Sequence, residues 1–87
     1  MADRRPMTAS ECKDWLTQQG FRFQETFGAA HRPAVIIVQA DRRKAGSRRA
    51  NWLPVLSLGT GRKHGYPKAT AWRKAVIRLG GDAEVLA

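Results

Sequence analysis

Residues 7–27 read MTASECKDWLTQQGFRFQETF, and a change of period inside this stretch decides the fold class. Thr8 stands where a helix needs its N-cap, and Glu11 follows three residues later to complete a capping box. Met7 and Cys12 are spaced as a hydrophobic staple across that cap. Cys12, Trp15 and Leu16 recur at i, i+3 and i+4, which lines one helical face with apolar groups. Gly20 supplies the left-handed stop, so the spacing predicts a helix over 7–20. Beyond Gly20 the period drops to two. Phe21, Phe23 and Phe27 fall on one side and Arg22, Gln24 and Thr26 on the other, as in a half-buried strand.

The rest of the chain continues that strand into a small sheet. Residues 28–33, GAAHRP, interrupt the alternation, and residues 34–40 carry the β-branched run Val35, Ile36, Ile37 and Val38 expected of a central strand. A polar loop, DRRKAGSRRAN over 41–51, leads to a third strand over 52–58. Pro54 has no N–H to give a ladder, so this strand belongs at an edge. Residues 59–67, GTGRKHGYP, read as a glycine-rich turn. Thr70 is the expected cap of a second helix with Trp72, Ala75, Val76 and Leu79 on its apolar stripe, ended by Gly80 and Gly81. The expected fold is α+β in the order α-β-β-β-α, a three-stranded antiparallel sheet with both helices packed on one face. Residues 1–7 read as an N-terminal extension, 8–81 as a single domain and 82–87 as a frayed C-terminal tail. Trp15 and Trp72 are assigned to the core by their helical stripes.

Charge is the strongest functional signal. The 87 residues carry a formal net charge of +9, and the excess is segregated. Residues 1–41 balance five bases (Arg4, Arg5, Lys13, Arg22, Arg32) against five acids (Asp3, Glu11, Asp14, Glu25, Asp41). Residues 42–81 hold eleven bases and no acid. A merely solvated surface intersperses both signs, so this asymmetry points to a polyanion and, for a small basic domain, to RNA. Three clusters carry it: Arg42, Arg43, Lys44, Arg48 and Arg49 in the loop; Arg62 and Lys63 in the glycine turn; Arg73, Lys74 and Arg78 on the second helix. Tyr66 and Trp52 adjoin these bases and suit stacking on unpaired bases, Tyr66 as an exposed ring and Trp52 with a core role as the alternative. Gly59, Gly61 and Gly65 serve equally as turn residues or as backbone approaching phosphate.

Several classes of chemistry drop out. A single cysteine, Cys12, forms no intrachain disulfide and sits on an apolar helical face, which suits a reducing, cytoplasmic compartment and a small buried hydrophobe. One Cys and two separated His give no usual metal-ligand spacing, and neither metal nor cofactor is expected. No apolar run approaches the ~18 residues of a membrane span, and the basic start lacks the apolar segment of a signal peptide. No paired carboxylates or Gly-x-Ser-x-Gly element appears. The residues left for catalysis are His31 and His64.

Three segments carry a resemblance. Residues 8–21, TASECKDWLTQQGF, resemble the opening helix of the HicA family of toxins, with its Ser-Glu, its Trp-Leu pair and its Gly before an aromatic residue. The stretch Gly28-Ala-Ala-His31 is similar to that family's Gly-Ser-(x)-His element, and residues 72–80, WRKAVIRLG, to its closing helix. The resemblance covers Thr8 to Gly80 and implies a fold like a double-stranded-RNA-binding domain. It further implies a metal-independent endoribonuclease that cleaves messenger RNA and is silenced by an acidic antitoxin, HicB. His31 is then the general base on the 2′-hydroxyl, with Arg32 and Lys63 stabilising charge at the phosphate. The chain departs from the family at Ala29 and Ala30, which replace a serine and its neighbour, and in the long 41–51 loop. It departs again at residues 52–55, WLPV, which lack the basic or His residue that follows this proline. A non-catalytic nucleic-acid-binding or inhibitory module of the same fold, of a phage-like kind, stays open as the alternative.

Overall fold

A computed structural model describes residues 3–61 and 64–86. The elements run β1 (Arg4–Pro6), α1 (Ala9–Gln18), β2 (Arg22–Glu25), β3 (Val35–Asp41), β4 (Trp52–Gly59), α2 (Ala69–Arg78) and β5 (Glu84–Leu86). The helix ends follow from local chemistry. Thr8 Oγ1 accepts the Glu11 N–H at 3.2 Å, and Glu11 Oε1 accepts the Thr8 N–H at 3.0 Å, so two otherwise orphaned donors are satisfied reciprocally. Met7 and Cys12 are both buried behind this cap. At the other end Gly20 has φ +84°, and the Phe21 and Gly20 N–H groups close on the carbonyls of Leu16 and Thr17 in a Schellman motif. Gly80, at φ +103°, ends α2 in the same way.

The start of α2 differs from the sequence expectation. Its N-cap is Lys68, not Thr70, and no side chain caps it. Lys68 leaves Pro67 in an extended conformation and gives its carbonyl to the Ala71 and Trp72 N–H groups at 3.0 and 3.3 Å. Ala69 is the best of helix formers, so the helix starts before it reaches the threonine.

β2, β3 and β4 form an antiparallel sheet in the order β2-β3-β4, with β3 central. Phe23 pairs with Val38, Ile36 with Leu58 and Val38 with Leu56, so these side chains share one face. The register shifts after Val38, where Gln39 pairs with Pro54 and Val55 is left as the extra residue of a bulge. One core cluster joins Ile36 and Val38 to Cys12 and Leu16 of α1 and to Trp72, Ala75 and Val76 of α2. The Phe23 and Trp72 rings meet edge to face at 5.3 Å. Lys13 Nζ lies 5.0 Å from the centroid of the same indole while holding Glu25 at 3.2 Å. The Cα atoms occupy a slab of 44 × 43 × 16 Å, the thickness of one helical layer on one sheet. Val35 and Ile37 alternate onto the other side of β3 and stay only partly covered.

The termini depart from expectation as well. The extension and the supposedly frayed tail pair with each other: β1 and β5 form a second, two-stranded antiparallel sheet with Arg5 opposite Val85. Arg4 pairs with Asp82 and with Glu84, Arg5 grips Glu11 at 2.6 Å, and the Met7 N–H donates to the Ala83 carbonyl at 2.9 Å. Three-residue strands reading RRP and EVL show no alternation, so nothing local announces them.

The chain crosses the core closely at Gly81. A Cβ there overlaps the Val76 side chain and lies 2.9 Å from Trp15 Cζ2. Gly81→Ala should therefore destabilise by about 1–3 kcal/mol in urea titration. Gly59→Ala, with nothing within 4 Å, should stay within about 0.5 kcal/mol of the parent. Equal effects of the two substitutions count against this packing.

Acid should weaken the α1 cap. Hydrogen bonds from Arg5 first, and from the Thr8 N–H next, lower the Glu11 carboxyl from 4.5 to about 2. A carboxyl that is more acidic when folded adds stability above its ordinary range and loses that share as pH falls toward its folded value. Thermal midpoints should hold down to about pH 4.5 and drop between there and about 2. Glu11→Gln should make that drop shallower.

Candidate nucleic-acid interface

Between β2 and β3 the chain makes a tight turn with an exposed tip. The Ala29 N–H donates to the Arg32 carbonyl at 2.7 Å and the Arg32 N–H returns to Ala29 at 3.1 Å, which leaves Ala30 and His31 as an exposed two-residue tip. Thr26 closes the neck: its N–H donates to the Val35 carbonyl, and its Oγ1 accepts the Val35 N–H, each at 2.9 Å. Reciprocal bonds between Gly28 and Gly65, at 2.7 and 3.2 Å, tie this turn to the glycine-rich loop. Gly65 sits at φ +93°, a conformation costly for any side chain with a Cβ.

Beneath the tip lies an open hollow of about 600 Å³, lined by Thr26, Phe27, His31, Arg32, Pro33, Val35 and Ile37. Its floor is the face of β3 turned away from the helices, and His31 and Arg32 stand at its edge. Phe27 is a correction to the sequence reading, which put it on the buried side with Phe21 and Phe23. β2 ends at Glu25, alternation no longer holds beyond it, and Phe27 is 58% exposed. Its ring meets Tyr66, itself 57% exposed as expected, edge to face at 5.1 Å. An aromatic residue immediately before the glycine of a turn was the available signal.

The cations do not form one patch. Arg42, Arg43, Lys44, Arg48 and Arg49 all lie exposed in the 42–51 loop, at the end of β3 away from His31. Seven residues of strand, at about 3.3 Å each, separate the two groups by about 20 Å. Asp41 builds the neck of that loop: its Oδ1 accepts the Asn51 and Arg43 N–H groups at 2.8 and 3.1 Å, and its Oδ2 binds the Arg43 guanidinium. The Arg43 guanidinium and the Asn51 N–H hold the Asp41 carboxyl below the ordinary carboxylate range. Arg43 is thereby committed to its own loop.

Arg73 is also committed: Nη1 donates to the Met7 carbonyl at 2.9 Å, so this member of the third cluster braces the N-terminus against α2. Lys74 and Arg78 remain exposed on α2, and Lys74 lines a smaller cavity with Lys68, Thr70 and Leu58. Arg62 and Lys63 lie outside the described residues. Arg22 was not singled out by the sequence, yet its guanidinium lies 5.7 Å from the Trp52 ring centroid. Residues Arg22, Gln24, Val35, Ile37 and Gln39 alternate onto the same face as the hollow. Glu25 falls on the helix side, against Lys13.

Burial raises the Cys12 thiol, which removes it from the reactive groups. Among the described residues no three His, Cys, Asp or Glu side chains gather as a metal site, and no helix is long and apolar enough to cross a membrane. Comparison with family models, with curated proteins and with solved structures returns no match for this chain.

Binding through these cations should follow counterion release. A single-stranded RNA touching about six phosphates gives a log–log salt slope near −4, since each contributes about 0.7. Replacing Arg42, Arg48 and Arg49 with Ser should flatten that slope by about 2. Arg73→Ala should instead lower the melting temperature and leave the slope nearly unchanged. A slope indifferent to the loop arginines moves the binding surface elsewhere.

Proposed function

We propose that this chain binds RNA and cleaves it without metal, with His31 as general base, in the manner its resemblance to HicA toxins implies. The observation that carries the reading is the place of His31: an exposed imidazole at a hydrogen-bonded turn tip, beside Arg32, over a hollow open to a strand of nucleic acid. An imidazole nitrogen offers the lone pair that a general base needs. In the proposed step the 2′-hydroxyl gives its proton to the imidazole and its oxygen forms a bond to the adjacent phosphorus. The bond from phosphorus to the 5′-oxygen breaks, and that oxygen takes a proton from the imidazolium. The products are a 2′,3′-cyclic phosphate and a 5′-hydroxyl. Arg32 balances the negative charge that gathers on the phosphate oxygens. The family's acidic antitoxin finds its complement in the exposed Lys74 and Arg78 of α2 and at the mouth of the hollow.

A second reading, binding without cleavage, is favoured by the lining of the hollow. Among the described residues, Arg32 is the one cation that lines it and His31 the one acid–base group, and Ala29 and Ala30 bring no hydroxyl to the turn. One assay separates the two. Purified protein incubated with RNA in EDTA should yield fragments ending in a cyclic phosphate, and a substrate with 2′-deoxyribose at the cut site should resist. His31→Ala should lose about 10²–10⁴ in rate with its RNA affinity kept, and His64→Ala far less. A His31→Ala protein that cuts like the parent removes His31 as the base. A parent that binds RNA and never cuts it leaves the binder.

A further inference from the structure

We infer that the hollow beside His31 is a receptor for a single unpaired base, so that the substrate is a single-stranded segment rather than a duplex. This rests on the RNA reading above and specifies which form of RNA the site admits. Three observations carry it. The hollow has an apolar floor and wall, Val35, Ile37 and Pro33, with an aromatic ring, Phe27, at its side. That ring is exposed yet held, because Tyr66 packs against it and the Gly28–Gly65 bonds fix the two loops that carry them. Arg32 stands at the rim, where the phosphate attached to a docked base comes to lie.

The chemistry of the surface selects the ligand. A largely apolar recess lined by one aromatic ring suits a heteroaromatic ligand, which stacks on the π-face and hides its own faces from water. A paired base offers neither face, since both are stacked within the helix, and exposing one requires unstacking. Charge complements the choice, because Arg32 is a cation at the rim and, among the described residues, no acid lines the hollow. A docked base also brings its own ribose toward His31 at the same rim. Tyr66 supports Phe27 from outside the lining, so it acts as a positioning residue for that ring.

The test uses the full chain and fluorescence anisotropy with three probes: a labelled single-stranded RNA 12-mer, the same strand annealed to its complement, and the same backbone with abasic sites in place of bases. The single strand should bind more tightly than the other two. Phe27→Ala should weaken single-strand binding about 5–100-fold, the range for losing one stacked base. Phe27→Leu, which keeps apolar bulk, should recover little of it, and Phe27→Trp most of it. Tyr66→Ala should give a smaller loss. The salt slope should not move in any of them, because stacking releases no counterions. Both rings are exposed, so the melting temperatures should match the parent and exclude misfolding as the cause. Phe27 variants that bind the single strand like the parent, or a duplex or abasic probe bound as tightly, overturn the base receptor while RNA binding stands. A parent that binds none of the three overturns both readings.

Discussion

The indole of Trp72 is where both helices and the sheet meet. It is fully buried in α2, takes the edge of Phe23 from β2 and carries Lys13 of α1 over its ring. Its Nε1 is buried with no acceptor among the described residues. Because the indole sits between the layers, Cys12, Leu16, Ile36, Val38 and Val76 all close around one side of the sheet. A chain of this length has no third layer to spend on the other side. The partly covered Val35 and Ile37, and the hollow above them, are therefore consequences of where the core lies.

Charge is organised by the same division. The acids are largely consumed by pairs: Glu11 with Arg5, Glu25 with Lys13, Asp41 with Arg43, and Asp82 and Glu84 with Arg4. Pairs this exposed add little to stability, because solvent screens them. Their effect is spatial, since they neutralise the termini and the helix side and leave uncompensated cations in the 42–51 loop, at Arg32 and on the outer face of α2. A formal +9 becomes a set of separated positive regions around a sheet face on which the acid Asp41 is already engaged.

What the sequence made legible was local. The Thr8 capping box, the Gly20 stop and the β-branched central strand each announce themselves within a few residues, and each appears where expected. The exposure of Tyr66 was legible for the same reason. What it hid depends on contacts far along the chain. Arg73 looks like any helix cation until the Met7 carbonyl, 66 residues away, claims its guanidinium. The two terminal strands are too short to show a period and exist through each other. Phe27 was misread because alternation was extended two residues past Glu25, where β2 ends. In the first two cases a nonlocal partner decides the structure, and in the third the strand ends sooner than its pattern.

If the proposed function holds, the spacing of the parts bears on how RNA would be held. Loop cations and hollow sit at opposite ends of β3, about 20 Å apart, with Arg22 and Trp52 near the loop end and Phe27 and Tyr66 near His31. One strand of nucleic acid laid along this face meets charge first, which acts at a distance, and aromatic surface second, which acts only in contact. The two contributions differ in kind. Counterion release sets affinity and fades with salt, whereas stacking persists in salt and demands an exposed base face. A protein that relied on charge alone would hold duplex and single strand alike. On the proposed reading, the exposed ring of Phe27, packed against Tyr66, would supply discrimination that arginines do not, and would do so beside His31.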